Sequence, residues 1–262
     1  MMQERPCLID GRTADCGRLP DGLYVYQQVR TVGRHGLNTG RHLEILDRAS
    51  REVLGFGVRS DAGSLDTQIS KLLEDNGYPS DGLSFVTLRQ YQSGQLLVAA
   101  NPIFPYRERK LRIVYPQAGI ADYELPFTEQ PTSMSESATA IALRELQRKD
   151  SRIKTVIRRN TAGEILSADG APLFIIEGRQ VVSPLRTTDS VEFETTAAAA
   201  MRAGLTFATD VVDTERLLNA DELFFADYRG LTAVSTCEGH LYIHLLTERL
   251  SSFFNKRFSL QV

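Results

Sequence analysis

The sequence lacks any apolar run approaching the roughly 18 to 20 residues that a membrane-spanning helix needs, so no bilayer crossing is expected. Its first residues, MMQERPCLID, carry no apolar core of a secretion signal. Cysteine is scarce: Cys7, Cys16 and Cys237 are an odd number, which argues for a reducing, cytoplasmic setting. A block of one charge sign is missing too. The 30 Lys and Arg are scattered among 33 Asp and Glu, and the net charge is -3, so nucleic acid is not an expected partner. Short basic clusters at Arg107, Arg109, Lys110 and Arg112, and at Arg158 and Arg159, fall in strand-like runs and read as solvent-facing side chains. There is no Gly-x-Ser-x-Gly elbow, no Walker loop and no recognisable Cys–His nucleophile motif.

What is present is an ordinary globular composition, 42% hydrophobic and 24% charged over 262 residues, enough for a sizeable core without disulfide or metal staples. From Leu23, LYVYQQVRTVG alternates as a strand does; a turn and a helix from about Thr39 to Leu54 follow. A second helix is expected over Ser64 to Asn76, with a start signal at Asp61 to Ser64 and Gly77 beyond its end. The strands LSFVTLRQYQ and QLLVAANPIF flank a hairpin-like Ser93-Gly94, and KLRIVYP is one more. Between Pro116 and Pro131 no period is sustained and prolines recur, the pattern of a linker. Ser133 and Glu136 then form a capping box for a helix running to about Lys149.

The second half reads as strands at IKTVIRR, EILSADG, PLFIIEG and RQVVSP, a helix through ETTAAAAMRAG and a short helix at DTERLLN. Strands at ELFFAD, LTAVSTCEG and HLYIHL precede a terminal helix, TERLSSFFNKRF. Hairpins with segregated helices predict two α+β domains, 1–115 and 132–262, joined by a linker at 116–131. Cys237, His240 and His244 invite a zinc reading, but on an extended HLYIHL residues four apart are separated by about 13 Å, too far for one ion.

Three passages together resemble the class IV aminotransferases, the pyridoxal-phosphate fold shared by branched-chain and D-amino-acid aminotransferases and aminodeoxychorismate lyase. VRTVGRHGLNTGRHLEILDRASREVLG is similar to the family's strand, loop and helix with His-Leu-x-Arg-Leu. TAGEILSADGAPLFIIEGRQVVSPL is similar to its Gly-x-Val-x-Glu-x-Ser-x-x-Asn-Ile-Phe hairpin, and LLNADELFFADYRGLTAVSTCEG to Leu-x-x-Ala-Asp-Glu-Val-Phe with a Gly-Thr loop. The likeness spans about Arg30 to Gly239. It implies a two-domain α+β protein of pyridoxal-phosphate fold type IV, with an interdomain cleft and a homodimeric assembly.

The resemblance also implies cofactor residues that this sequence replaces. The Schiff-base lysine falls in Thr132-Ser133-Met134-Ser135, and the following tyrosine near Glu136. The ring carboxylate aligns with Ser167, the motif's asparagine with Pro172 and the phosphate-contacting arginine with Ile45. The phosphate loop aligns with Ser190-Val191-Glu192-Phe193 and the Gly-Thr loop with Asp227-Tyr228, both bringing carboxylates to an anion's place. The expectation is therefore a divergent, non-catalytic relative, a pseudoenzyme without a cofactor, that binds a small ligand in the cleft or a protein partner. Arg30, His42, Ser167, Thr188, Ser190 and Tyr228 are its candidate cleft residues, although His42 reads more simply as packing or capping. The alternative is a working pyridoxal-phosphate aminotransferase of the branched-chain type, or an aminodeoxychorismate lyase, in which Lys149 or Lys154 supplies the amine. Lys154 reads more simply as a strand's solvent face.

Overall fold

The computed structural model describes residues 6–15, 20–101, 114–127, 129–185 and 189–253. The chain divides into two compact units, one of Met1–Glu108 with Gln130–Ser133 and Arg257–Val262, the other of Arg109–Glu129 and Met134–Lys256.

The first unit opens with a short hairpin absent from the sequence reading, β1 (Cys7–Ile9) and β2 (Arg12–Ala14), followed by β3 (Tyr24–Val32) and β4 (His35–Gly36). Helices α1 (Thr39–Leu54) and α2 (Ala62–Asp75) precede the strands β5 (Leu83–Tyr91) and β6 (Leu96–Ala100). The six strands form one sheet in the order β2-β1-β6-β5-β3-β4. Leu43, Leu46 and Ala49 of α1, and Leu65, Ile69, Leu72 and Leu73 of α2, recur every three or four positions and cover Val25, Val29, Val86, Leu88 and Val98 of the sheet. Asp61 starts α2 by accepting the Ser64 amide at 2.9 Å, and Gly55, at φ +83, ends α1 in the left-handed conformation that glycine tolerates. Cys7 is disulfide-bonded, a finding that does not support the reducing setting expected from the cysteine count.

The second unit begins with β7 (Gln117–Ile120), a strand inside the stretch expected to be linker. Then come α3 (Ser133–Lys149), β8 (Ile153–Arg159), β9 (Ile165–Ala168), β10 (Leu173–Glu177), β11 (Gln180–Pro184) and α4 (Val191–Arg202). A strand that the sequence reading missed, β12 (Thr206–Asp210), leads to α5 (Thr214–Asn219), β13 (Glu222–Asp227), β14 (Gly230–Ala233), β15 (Thr236–Cys237), β16 (His240–Leu241) and α6 (Leu245–Phe253). HLYIHL is thus a strand for only two residues. Tyr242 then turns inward, its hydroxyl donating to the Leu217 carbonyl at 3.0 Å.

Two five-stranded sheets, β12-β11-β10-β13-β14 and β16-β15-β7-β8-β9, bury a shared core that includes Ile120, Ile157, Ile165, Leu173, Ile175, Val182, Leu223 and Phe225. On the outer face of the second sheet, Ala142 and Leu146 of α3 cover Ile153 and Val156 of β8. Strand β8 therefore has both faces covered, and its run of apolar residues fits a buried strand.

Candidate ligand site in the second unit

Covering both faces of β8 decides the place of Arg158, which the sequence pattern assigned to solvent. Val156 packs under α3, and Arg158, two residues on, leaves the strand on the same side and is 4% exposed. Its Nη2 donates to the Ser135 carbonyl at 3.4 Å and to the Thr139 hydroxyl, and Thr139 also donates to the Ser135 carbonyl at 2.8 Å. The solvent-facing assignment of Arg158 is therefore corrected: alternation along a strand names its faces, not what covers them. Lys154, in contrast, is exposed, its Nζ donating to the Ser151 carbonyl at 3.2 Å.

Across the strand pair, Arg158 stands directly opposite Ser167 of β9, itself 4% exposed. The turn after β9 is locked by Asp169, whose carboxylate accepts the Val156 amide at 2.8 Å while its own amide donates to the Val156 carbonyl at 2.9 Å. Gly170 follows at φ +84, and a Cβ there would lie 3.1 Å from Nη2 of Arg158. Ser135, from the stretch where the resemblance puts a lysine, accepts from the guanidinium through its carbonyl, and Ser167, where the resemblance puts the ring carboxylate, stands opposite Arg158 across the strand pair. Sequence reasoning missed Arg158; the available signal was its spacing of two from Val156.

The second group lies where α4 begins. Ser190 caps that helix, its Oγ accepting the Phe193 amide at 3.1 Å. Desolvation, with the negative charges of Asp227 and Glu194, pushes the Glu192 carboxyl up to about 7. Asp227 accepts the Arg229 amide at 2.8 Å and Nε of the same residue at 2.8 Å, and the guanidinium lies 5.2 Å from the Tyr228 ring. Asp169 lies in the fields of both Arg158 and Arg229, which connects the two groups electrostatically. Of the expected cleft residues, Ser167, Ser190 and Tyr228 belong to this unit.

Arg30 and His42 belong to the first unit. Arg30 sits in β3 and is 4% exposed. His42 is 3% exposed in α1, with Nδ1 3.1 Å from Oε1 of Gln27. Burial, with the nearby Arg41 charge, lowers its pKa to about 4, so it is neutral at physiological pH. Ile45 is buried at 2% exposure. Thr188 and the basic cluster at Arg107, Arg109, Lys110 and Arg112 lie outside the described residues. Cys237 is a free, buried thiol, raised to about 12 by burial and the Glu238 charge. His244 stacks on Tyr115 at 4.4 Å, and among the described residues no group of three His, Cys, Asp or Glu is placed to hold a metal ion.

This architecture is the class IV aminotransferase fold, fold type IV of the pyridoxal-phosphate proteins. The particular solved proteins that share it include the branched-chain aminotransferase of Escherichia coli, at 14% identity and TM-score 0.81 over 98% of this chain and 95% of that one. An aminotransferase from Brucella abortus, solved with pyridoxal phosphate bound, matches at 14% identity and TM-score 0.78 over 96% and 98%. A protein assigned as a 4-amino-4-deoxychorismate lyase from Legionella pneumophila matches at 14% identity and TM-score 0.74 over 89% and 91%. No protein-family model matches the sequence, and no curated protein matches it. At these identities the likeness establishes the fold. It also corrects the expectation of a chain without a cofactor, because this is a fold in which the Brucella protein holds pyridoxal phosphate.

Among the described residues, no lysine amine is placed to hold that group covalently. A Schiff base needs an amine. Among the described lysines, Lys71 lies on α2 of the first unit, Lys149 is exposed and paired with Asp122, and Lys154 is turned to solvent. Lys110 and Lys256 lie outside the described residues. Ser167 carries no charge for a ring nitrogen, and Glu192 and Asp227 bring carboxylates to the start of α4, where a phosphate would otherwise find free amides.

Proposed function

We propose that this chain is a ligand-binding protein on the aminotransferase class IV fold, taking a pyridoxal-phosphate-type ligand reversibly and without a bond to lysine. The observation that carries this reading is the buried guanidinium of Arg158, held by the Ser135 carbonyl and the Thr139 hydroxyl, beside the stretch where a Schiff-base amine is expected. Support for the ligand class comes from the Brucella abortus aminotransferase of the same fold, which binds pyridoxal phosphate. Arg229, paired with Asp227, and the start of α4 offer further polar groups in the same unit. We read the protein as a homodimer; among the described residues no helix is long and apolar enough to cross a membrane.

The test is equilibrium dialysis against pyridoxal phosphate, followed by borohydride reduction and intact-mass measurement. Saturable binding that dialyses away, with no mass gain after reduction, is the expected result. Absence of saturable binding would overturn it.

A second reading, a working aminotransferase or lyase, is favoured by the Escherichia coli and Legionella pneumophila likenesses. Under that reading reduction attaches one cofactor mass to a lysine, and the protein transfers an amino group from an amino acid to a 2-oxo acid. Peptide mapping of the adduct covers all lysines, Lys110 and Lys256 included.

A further inference from the structure

The first unit holds a cavity of about 460 Å³ between the β1–β2 hairpin and α2, on elements that the candidate site in the second unit does not use. That volume falls within the range of small-molecule sites, about 300–1,000 Å³. Leu8 of β1 and Leu72 of α2, both buried, give it an apolar wall, and Cys7 on the hairpin side is held by its disulfide. Gln68, Lys71 and Asp75 recur every three or four residues, so they present one face of α2 to the cavity, with Asn76 at the helix end.

Two opposite charges stand on that face. Among the described residues, neither Lys71 nor Asp75 makes a hydrogen bond or an ion pair. A lysine four residues before an acid is the weaker orientation for pairing along a helix, which suits their separation here. Asp75 also stands at the negative end of the α2 dipole, whose last turn holds no basic residue, and the neighbouring Glu74 already takes the Arg34 guanidinium at 2.8 Å. A cation arriving at Asp75 therefore meets both a carboxylate and the negative end of a helix. Lys71, about 6 Å away on the same face, offers the complementary contact to an anion.

We propose that this cavity binds a small zwitterion of the α-amino-acid class, its ammonium group at Asp75, its carboxylate at Lys71 and its side chain against Leu8 and Leu72. Asp15 lines the cavity as well, so carboxylates outnumber the one lysine and the ammonium contact is the stronger of the two. Binding here does not depend on the ligand of the second unit.

The test follows the amide NMR resonances of residues 68–76 in the full chain at about pH 6.5, as L-alanine, L-alaninamide or N-acetyl-L-alanine is added to about 20 mM. The first probe carries both charges, the second only the ammonium and the third only the carboxylate. L-Alanine should give saturable shifts, with alaninamide bound at least about threefold and N-acetylalanine at least about tenfold more weakly. Asp75→Asn should weaken L-alanine at least about tenfold. Lys71→Met should weaken it at least about threefold while leaving alaninamide unchanged, a split that a merely structural lysine would not produce. Both positions are exposed, so the fold is kept in either variant. No saturable shift with L-alanine, equal binding of the three probes, or unaltered L-alanine binding by either variant overturns this assignment.

Discussion

At the scale of single residues, two titrating groups carry opposite signatures. Glu192 has its folded pKa raised to about 7 from 4.5, so the folded state holds its proton where the unfolded chain has released it. Stability is then lost as pH rises through about 4.5 to 7, and the full penalty stands above 7. Glu192→Gln should leave stability unchanged near pH 4 and raise it by roughly 2 kcal/mol at pH 8, read by urea unfolding at both pH values. An unchanged difference between the two pH values would place the carboxylate in water. His42 behaves in reverse, with its folded value near 4 and its unfolded value near 6.5. Its contribution is present above about 6.5 and is lost as pH falls towards 4. Its ring resonances in NMR should stay those of a neutral imidazole from about pH 8 to pH 5, whereas a titration near pH 6.5 would mean that Gln27 and the helix do not enclose it.

Among the elements, α6 is attached by a buried anion. Glu222, 1% exposed on β13, accepts the Leu246 and Thr247 amides at 2.7 Å each and the Thr247 hydroxyl at 2.7 Å. A carboxylate at a helix start satisfies free amides and opposes the positive end of the dipole. Glu222→Ala leaves those donors buried and unpaired and should cost about 3 kcal/mol in chemical unfolding. Lys154→Ala, at an exposed position on β8, should change stability by no more than about 0.5 kcal/mol and leave ligand binding intact. A complete loss of binding in a folded Lys154→Ala protein would revive the amine reading. Arg158, on the same strand four residues further on, is by contrast buried and bonded to the Ser135 carbonyl of α3.

For the whole molecule, a ligand that binds only the native state raises stability by mass action. Pyridoxal phosphate at one hundred times its dissociation constant should add about 2.7 kcal/mol, which for a chain of this size raises Tm by roughly 5–11 °C. A Tm indifferent to the ligand at concentrations that saturate dialysis would mean that it binds folded and unfolded chains alike. The proposed homodimer is checked by sedimentation, with a mass near twice 29.2 kDa expected and a monomer counting against it.

The sequence by itself determined what depends on neighbours a few residues apart. The extents of α1 and α2, the end of α4 near Gly204 and the Asp61 start signal all follow from period, capping residues and glycine, whose energetics are local. The three passages that carry the likeness to class IV aminotransferases were legible too, because order and spacing survive at 14% identity in core motifs. The strand β7 was not legible: its four residues, QAGI, lack a pattern, and their parallel pairing with β8 and β15 brings together segments far apart in sequence. The candidate site divides the same way. Ser167, Ser190 and Tyr228 could be named from motif position, whereas the burial of Arg158 was decided by tertiary structure alone. A strand's alternation states that two faces exist; whether a face meets water or a helix is settled by long-range packing, and packing placed this arginine under α3.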